Sequence, residues 1–150
     1  MKSLASADVL METKRRLQCV EAGDRALWGK MTAPQMVRHV GCAYEIALGD
    51  REVDAIKGTI PPRAMKWLAL RSGVRWARNT PTTPELIAAL DEEPNTSFED
   101  LIRRAISGME ELAVGQRWRH EHPFFGTMSC EDWMRWGYLH ADHHLRQFGR

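Results

Sequence analysis

The chain has little of what several common classes of protein require. It contains three cysteines in 150 residues, Cys19, Cys42 and Cys130, and no two of them stand at the spacing of a CxxC pair. We therefore predict neither a disulfide framework nor a cysteine zinc site, and reduced thiols in a cytoplasmic protein are the simplest interpretation. The polar amino-terminal stretch does not resemble a signal peptide, and the longest apolar run, 67–70, is far too short to span a bilayer.

The chain also lacks an excess of charge of either sign. Lysine and arginine together number 21 and aspartate and glutamate 20, which gives a formal net charge of +1. Global charge therefore offers no support for a nucleic-acid or membrane partner, and we expect neither. The hydrophobic share of 43% is enough for a real core, and the length fits a single domain over residues 1–150.

Helical periodicity is the main pattern that is present, and alternation of the kind found in strands is absent. Capping residues at the starts, with Gly23, Gly49 and Gly115 after three of the ends, delimit four long helices. The predicted helices run from about 6 to 20, from 32 to a stop at Gly49, from 97 to a stop at Gly115, and from 129 to about 148. We predict essentially no sheet.

The segment between the second and third helices, from about 50 to 96, is too long for a bare loop. Short helices are predicted near 63–72 and 84–90, with Thr83 as the cap of the second and Pro84 at its first position. The predicted fold is therefore all-α, a four-helix bundle with a long, partly helical crossover between helices 2 and 3.

The last predicted helix carries the strongest chemical pattern. His140 and His144 are four residues apart, so a helix places them on one face, with Cβ atoms about 5–6 Å apart. Imidazoles at this spacing can bind one metal ion, although such pairs are more often ordinary surface or core histidines. Trp133 and Trp136 continue this face, which predicts that it points into the protein.

A metal site of this kind needs a third ligand from another helix. His39 is the natural candidate, because it lies in the middle of the second helix at the edge of the apolar stripe. A lone histidine there is more often a core residue, but the pair on the last helix favours the ligand interpretation. His120 and His122 flank a loop and are weaker candidates, and His143 points away from the pair.

These residues resemble the DinB-like (YfiT-type) metal-binding four-helix bundle superfamily. In that superfamily the last helix carries an HxxxH pair followed closely by a glutamine, which His140, His144 and Gln147 match. The third histidine comes from the second helix, where His39 lies in the segment Thr32–His39. The resemblance covers most of the chain and is specific in residues 28–39 and 122–148, which look like an uncharacterised branch.

The resemblance implies an up-down-down-up bundle, a divalent ion at the three histidines and a homodimer. It also implies a small-molecule substrate, and some members use low-molecular-weight thiols. We therefore expect a metal-dependent enzyme of the hydrolase or thiol-transferase type, and the alternative is a metal-stabilised protein without catalysis. Imidazole ligands suit zinc and nickel and also iron. The catalytic residues beyond the metal ligands are not predicted.

A basic segment within the crossover is the last feature. It has no acidic residue, and two tryptophans lie among its six basic residues, which are Lys57, Arg63, Lys66, Arg71, Arg75 and Arg78. Such a pattern can bind single-stranded nucleic acid. We favour a solvated face with Trp67 and Trp76 packed inward. An intermediate hypothesis is that the segment covers the metal site and one arginine receives an anionic substrate.

Overall fold

The fold is mostly helical, in agreement with the all-α prediction. A computed structural model describes residues 1–56, 58–78, 80, 82–92 and 95–150. Two-residue strands pair Glu121 with Thr127 and His122 with Gly126, and form the sheet found in these ranges. The elements are α1 Ala7–Gln18, α2 Ala33–Leu48, α3 Pro62–Leu70, α4 Pro84–Ala88 with a 3₁₀ turn at Ala89–Asp91, α5 Phe98–Val114, β1 Glu121–His122, β2 Gly126–Thr127 and α6 Cys130–Gln147.

The helix starts follow from the capping residues that the sequence places there. The hydroxyl of Thr32 accepts the backbone N–H of Gln35, whose side chain returns the bond to the Thr32 backbone. Ser129 and Asp132 form the same reciprocal box at the start of α6. These bonds satisfy backbone donors that the first turn of a helix leaves unpaired. The predicted starts of α2 and α6 are confirmed.

Four long helices enclose the core, since α2 packs on α5 and α6, and α1 packs on α5 and α6. The close approach of α6 depends on Gly137, where an added Cβ would lie 3.1 Å from Leu112 and 3.2 Å from Tyr44. The hydroxyl of Tyr44 also donates to the Gly137 carbonyl at 3.0 Å. Gly137 thus lets α6 lie close enough to α2 for histidines on the two helices to meet.

The crossover contains the two short predicted helices, and Thr83 caps the second by accepting the N–H of Leu86. Trp76 packs against the core as expected. The prediction that Trp67 packs inward was wrong, because this residue is 62% exposed. The nine-residue helix α3 has only one face against the protein, and Leu70 is the buried residue on that face. Lys57 lies outside the described residues.

The middle of the basic segment is held against α6 by an ion-pair cluster. Asp132 accepts hydrogen bonds from Lys66 Nζ and from Arg71 Nη2, each at 3.0 Å. Burial alone would raise the pKa of Asp132, but these hydrogen bonds lower it below its usual value. Two of the basic residues therefore have an acidic partner that lies about 60 positions later in the chain.

None of the helices in the described part is long and apolar enough to cross a bilayer.

Candidate functional site: a buried histidine cluster

Three histidines predicted as ligands meet between α2 and α6. One possible ligand nitrogen from each of His39, His140 and His144 lies within 4.8 Å of the others. The Nε2 atoms of His39 and His140 are 3.1 Å apart, and the ring centroids of His39 and His144 are 4.6 Å apart. The capping of α2 and the helical spacing of α6 bring them together, and we call them the histidine triad.

The triad is held in the uncharged form by its surroundings. The three residues are buried, and burial lowers the pKa of His39 to about 4 and the pKa values of His140 and His144 well below the usual value. Proximity of the other imidazoles lowers these pKa values further. Neutral imidazoles offer the lone pairs that a metal ion needs.

Gln147 fixes which nitrogen of His144 carries the proton. The amide nitrogen of Gln147 donates to the carbonyl of Trp28 at 2.7 Å, so the amide oxygen is the atom that faces His144. That oxygen lies 2.9 Å from Nδ1 of His144 and can only accept, so Nδ1 carries the hydrogen. The lone pair is then on Nε2. Second partners of this kind orient histidine ligands in metal sites.

His140 has a different environment, because its other nitrogen has no partner. Its ring stacks on Trp136 at 4.8 Å with an interplanar angle of 10°, as expected for an inward face. Its Nδ1 is buried and makes no hydrogen bond within the described chain. A buried polar atom without a partner is costly, and in functional sites a water or ligand commonly supplies the missing bond.

Two segments distant in sequence pack against the histidines of α6. The ring of Trp76, from the crossover, lies 6.3 Å from His140 and 6.1 Å from His143. Trp28, from the loop before α2, lies edge-on to His143, with their ring centres 6.2 Å apart. The guanidinium of Arg78 lies over the Trp28 ring, 4.7 Å from its centre. This agrees with the hypothesis that the crossover covers the site. The sequence did not predict the contact between Trp28 and His143.

The remaining histidines lie outside the triad. His122 stacks on Phe125 at 4.1 Å and contacts Trp136, and burial lowers its pKa to about 3. His120 is exposed. His143 neighbours His144 at 5.1 Å, yet its buried Nδ1 has no partner in the described residues. The geometry thus groups His39 rather than His120 or His122 with the pair on α6.

Neither Cys42 nor Cys130 is activated as a nucleophile. All three cysteines are free. Burial raises the pKa of Cys42 to about 11 and raises that of Cys130. A thiol becomes reactive when its pKa falls, so neither is a suitable nucleophile.

The spacing of the triad fits a metal site. Two nitrogens bound to one tetrahedral zinc ion at about 2.0–2.1 Å lie roughly 3.3 Å apart. The Nε2 atoms of His39 and His140 are 3.1 Å apart, close to this value. Neutral imidazole nitrogens can bind a metal ion through their lone pairs. The triad could therefore hold a metal ion after small shifts of its side chains.

Comparison with known proteins places the carboxyl-terminal part of the chain in a family. Curated proteins and solved structures gave no match. Residues 62–150 match the family described as Protein of unknown function (DUF1569). The matched range contains His140, His144 and Gln147 and begins after His39. Because it spans more than half of the sequence, the chain belongs to the DUF1569 family.

Proposed function

We propose that this protein is a metal-dependent enzyme whose divalent ion, zinc or nickel and alternatively iron, is bound by His39, His140 and His144. The observation that supports the proposal is the convergence of three buried, uncharged imidazoles from two helices. Such a cluster without an ion would bury polar nitrogens that lack full hydrogen bonding, which is unfavourable. A bound ion would satisfy the three facing nitrogens together.

The number of ligands favours catalysis over a structural role. Catalytic zinc sites commonly have three protein ligands, and structural sites have four. Within the described residues, the cluster contains three candidate ligands and no fourth. When bound, a divalent ion supplies Lewis-acid chemistry, since it lowers the pKa of a water or thiol and so provides a nucleophile at neutral pH.

Residues around the triad supply the other requirements of such a reaction. Gln147 holds His144 in one tautomer and orientation. Trp28, Trp76 and Trp136 limit the access of water to the histidines. The unpartnered Nδ1 of His143, whose ring centre lies 5.1 Å from that of His144, is a further acid–base atom, and we assign it the role of accepting or donating a proton.

The reaction we propose is hydrolysis or the transfer of a low-molecular-weight thiol. Both need a nucleophile at the open position, and neither needs a reactive cysteine of the chain. We further propose that the four long helices form the up-down-down-up bundle of the DinB-like superfamily. The pair His140 and His144 with Gln147, and the position of His39 on the second helix, support that assignment.

Cobalt substitution tests the open position. Untagged protein is loaded with Co²⁺, and its absorption is followed while a small thiol such as 2-mercaptoethanol is added. We expect a sulfur-to-cobalt charge-transfer band in the wild type, and no such band in His144→Ala. A Co²⁺ spectrum that the thiol leaves unchanged would mean that the site is closed, and would favour the alternative of a metal-stabilised protein without catalysis.

A further inference from the structure

A small basic pocket lies beside the covering segment, outside the triad. Its volume is about 70 Å³, and it lies between the turn after α3 and the outer side of α6. Since a single water needs roughly 10–15 Å³ of such space, the pocket is large enough for a small oxyanion. Its charged lining residues are Arg75, Arg135, Arg146 and Asp142, and Trp76 and Leu139 supply apolar walls.

The one acidic residue of this lining already has two cationic partners. Asp142 accepts a hydrogen bond from Arg146 Nε at 2.9 Å and another from Arg16 Nη1 at 2.8 Å. These bonds lower the pKa of Asp142 although burial opposes the change. Asp142 also favours the charged form of Arg135, but three arginines line the pocket against this one carboxylate, so the pocket keeps an excess of positive charge.

Arg135 has no carboxylate among its hydrogen-bond partners. Its guanidinium donates to the carbonyls of Leu70 and Lys2, which are neutral acceptors, and lies 5.9 Å from the ring centre of Tyr138. Burial and the neighbouring Arg71 lower its pKa, while Tyr138 and Asp142 oppose this change. Arg75 is exposed and forms no ion pair with the described residues. A partly buried arginine that makes no direct hydrogen bond to a carboxylate is a favourable place for an anion.

We propose that this pocket binds a small oxyanion, the phosphate or carboxylate group of a ligand, through Arg75 and Arg135. The ring of Trp76 lines the pocket and also contacts His140 and His143. An anion bound there lies one indole ring away from the triad. If the proposed function holds, the pocket binds the anionic group of the substrate. The substrates would then be small phosphorylated or carboxylated molecules.

The test is a titration followed by NMR at the Arg135 side-chain N–H and the Trp76 indole N–H. Inorganic phosphate and acetate are added separately to the full-length protein, both as purified and after chelation, and sodium chloride at equal ionic strength is the control. We expect saturable binding at millimolar concentration or tighter, and the stronger of the two anions identifies the group. Arg75→Gln should weaken it about tenfold or more, the loss expected for one charge-assisted hydrogen bond.

The matched variant is Arg63→Gln, which removes an exposed charge on α3 away from the pocket. It should leave the affinity unchanged. The proposal is overturned if neither anion saturates, if chloride has the same effect, or if Arg63→Gln costs as much as Arg75→Gln. Anion binding that survives chelation would support the pocket even where the metal proposal fails, and loss of binding in Arg75→Gln with normal metal content would separate the two claims.

Discussion

The Nε2 atoms of His39 and His140 lie 3.1 Å apart, although 101 residues separate them in the sequence. Two neutral imidazoles at this distance have two arrangements open to them. Either one nitrogen donates its hydrogen to the other, or both lone pairs face a shared cation. His144 completes the second arrangement, since its Nδ1 already carries the hydrogen and its Nε2 is left with the lone pair. The predictions below follow from this arrangement and its support.

Gln147→Met should weaken metal binding without removing a ligand. The thioether has nearly the same shape as the amide, but it is only a weak acceptor for the Nδ1 hydrogen of His144 and cannot donate to the Trp28 carbonyl. We expect affinity for Zn²⁺ to fall by about 10–100-fold, the usual effect of losing such a partner. The measurement is competition with a chromophoric chelator.

A second measurement separates positioning from general damage. In metal-free wild type, long-range ¹H–¹⁵N spectra should report His144 with its hydrogen on Nδ1, and Gln147→Met should give a mixture of tautomers. Gln147→Glu keeps an acceptor and should restore the tautomer at least in part. If the wild type has its hydrogen on Nε2, the role assigned to Gln147 is incorrect.

Asp132→Asn should loosen the crossover. It removes the charge that binds Lys66 and Arg71, while an amide oxygen can still cap α6. We expect the free energy of unfolding to fall by about 1–2 kcal/mol, because both pairs are partly exposed. Limited proteolysis should also cut the segment 58–78 faster. The control is Glu131→Gln, which changes an exposed neighbour. An equal loss of stability in that variant would show that the ion pairs of Asp132 do not hold the crossover.

The stability of the metal-free protein should fall in acid. The pKa of His122 is lowered to about 3 and that of His39 to about 4, whereas an unfolded histidine titrates near 6.5. Below pH 6.5 the unfolded state therefore binds more protons than the folded state. The stability is fully present above 6.5, and each group removes up to about 1.4 kcal/mol per pH unit as pH falls towards its folded pKa.

His122 isolates this effect from the triad. The free energy of unfolding of chelated wild type and His122→Asn is measured by urea denaturation from pH 7 to pH 4.5. Asparagine can still accept the N–H that His122 accepts from Phe124. The variant should lose stability less steeply with falling pH, and His120→Asn should follow the wild type. Parallel curves for wild type and His122→Asn would contradict the prediction.

Local signals in the sequence predicted the helices and most of the triad. The boxes at Thr32 and Ser129 are short-range, so α2 and α6 began where expected. The pair His140 and His144 needed only helical spacing. His39 needed one further assumption, that the middle of α2 faces α6, and the geometry agrees with it. Whether these residues bind a metal stays a prediction, as do the dimer, the cytoplasmic location and the thiol substrate.

The features that sequence did not predict depend on contacts between distant segments. Trp67 and Trp76 look alike in the sequence, yet Trp67 is exposed and Trp76 lies against the histidines. Asp132 lies in the first turn of α6, and its ion pairs with the crossover form only in the folded chain. No sequence pattern reports that Nδ1 of His140 or of His143 is buried without a partner.

Metal content of untagged protein tests the account most directly. Mass spectrometric metal analysis of the purified wild type, before and after exposure to Zn²⁺, Ni²⁺ and Fe²⁺, should give close to one equivalent of one divalent ion. His39→Ala, His140→Ala and His144→Ala should each lose it, and His143→Ala should keep it. Wild-type protein that contains no metal and binds none of these ions would contradict the account, and a His39→Ala variant with full occupancy would remove His39 from the site.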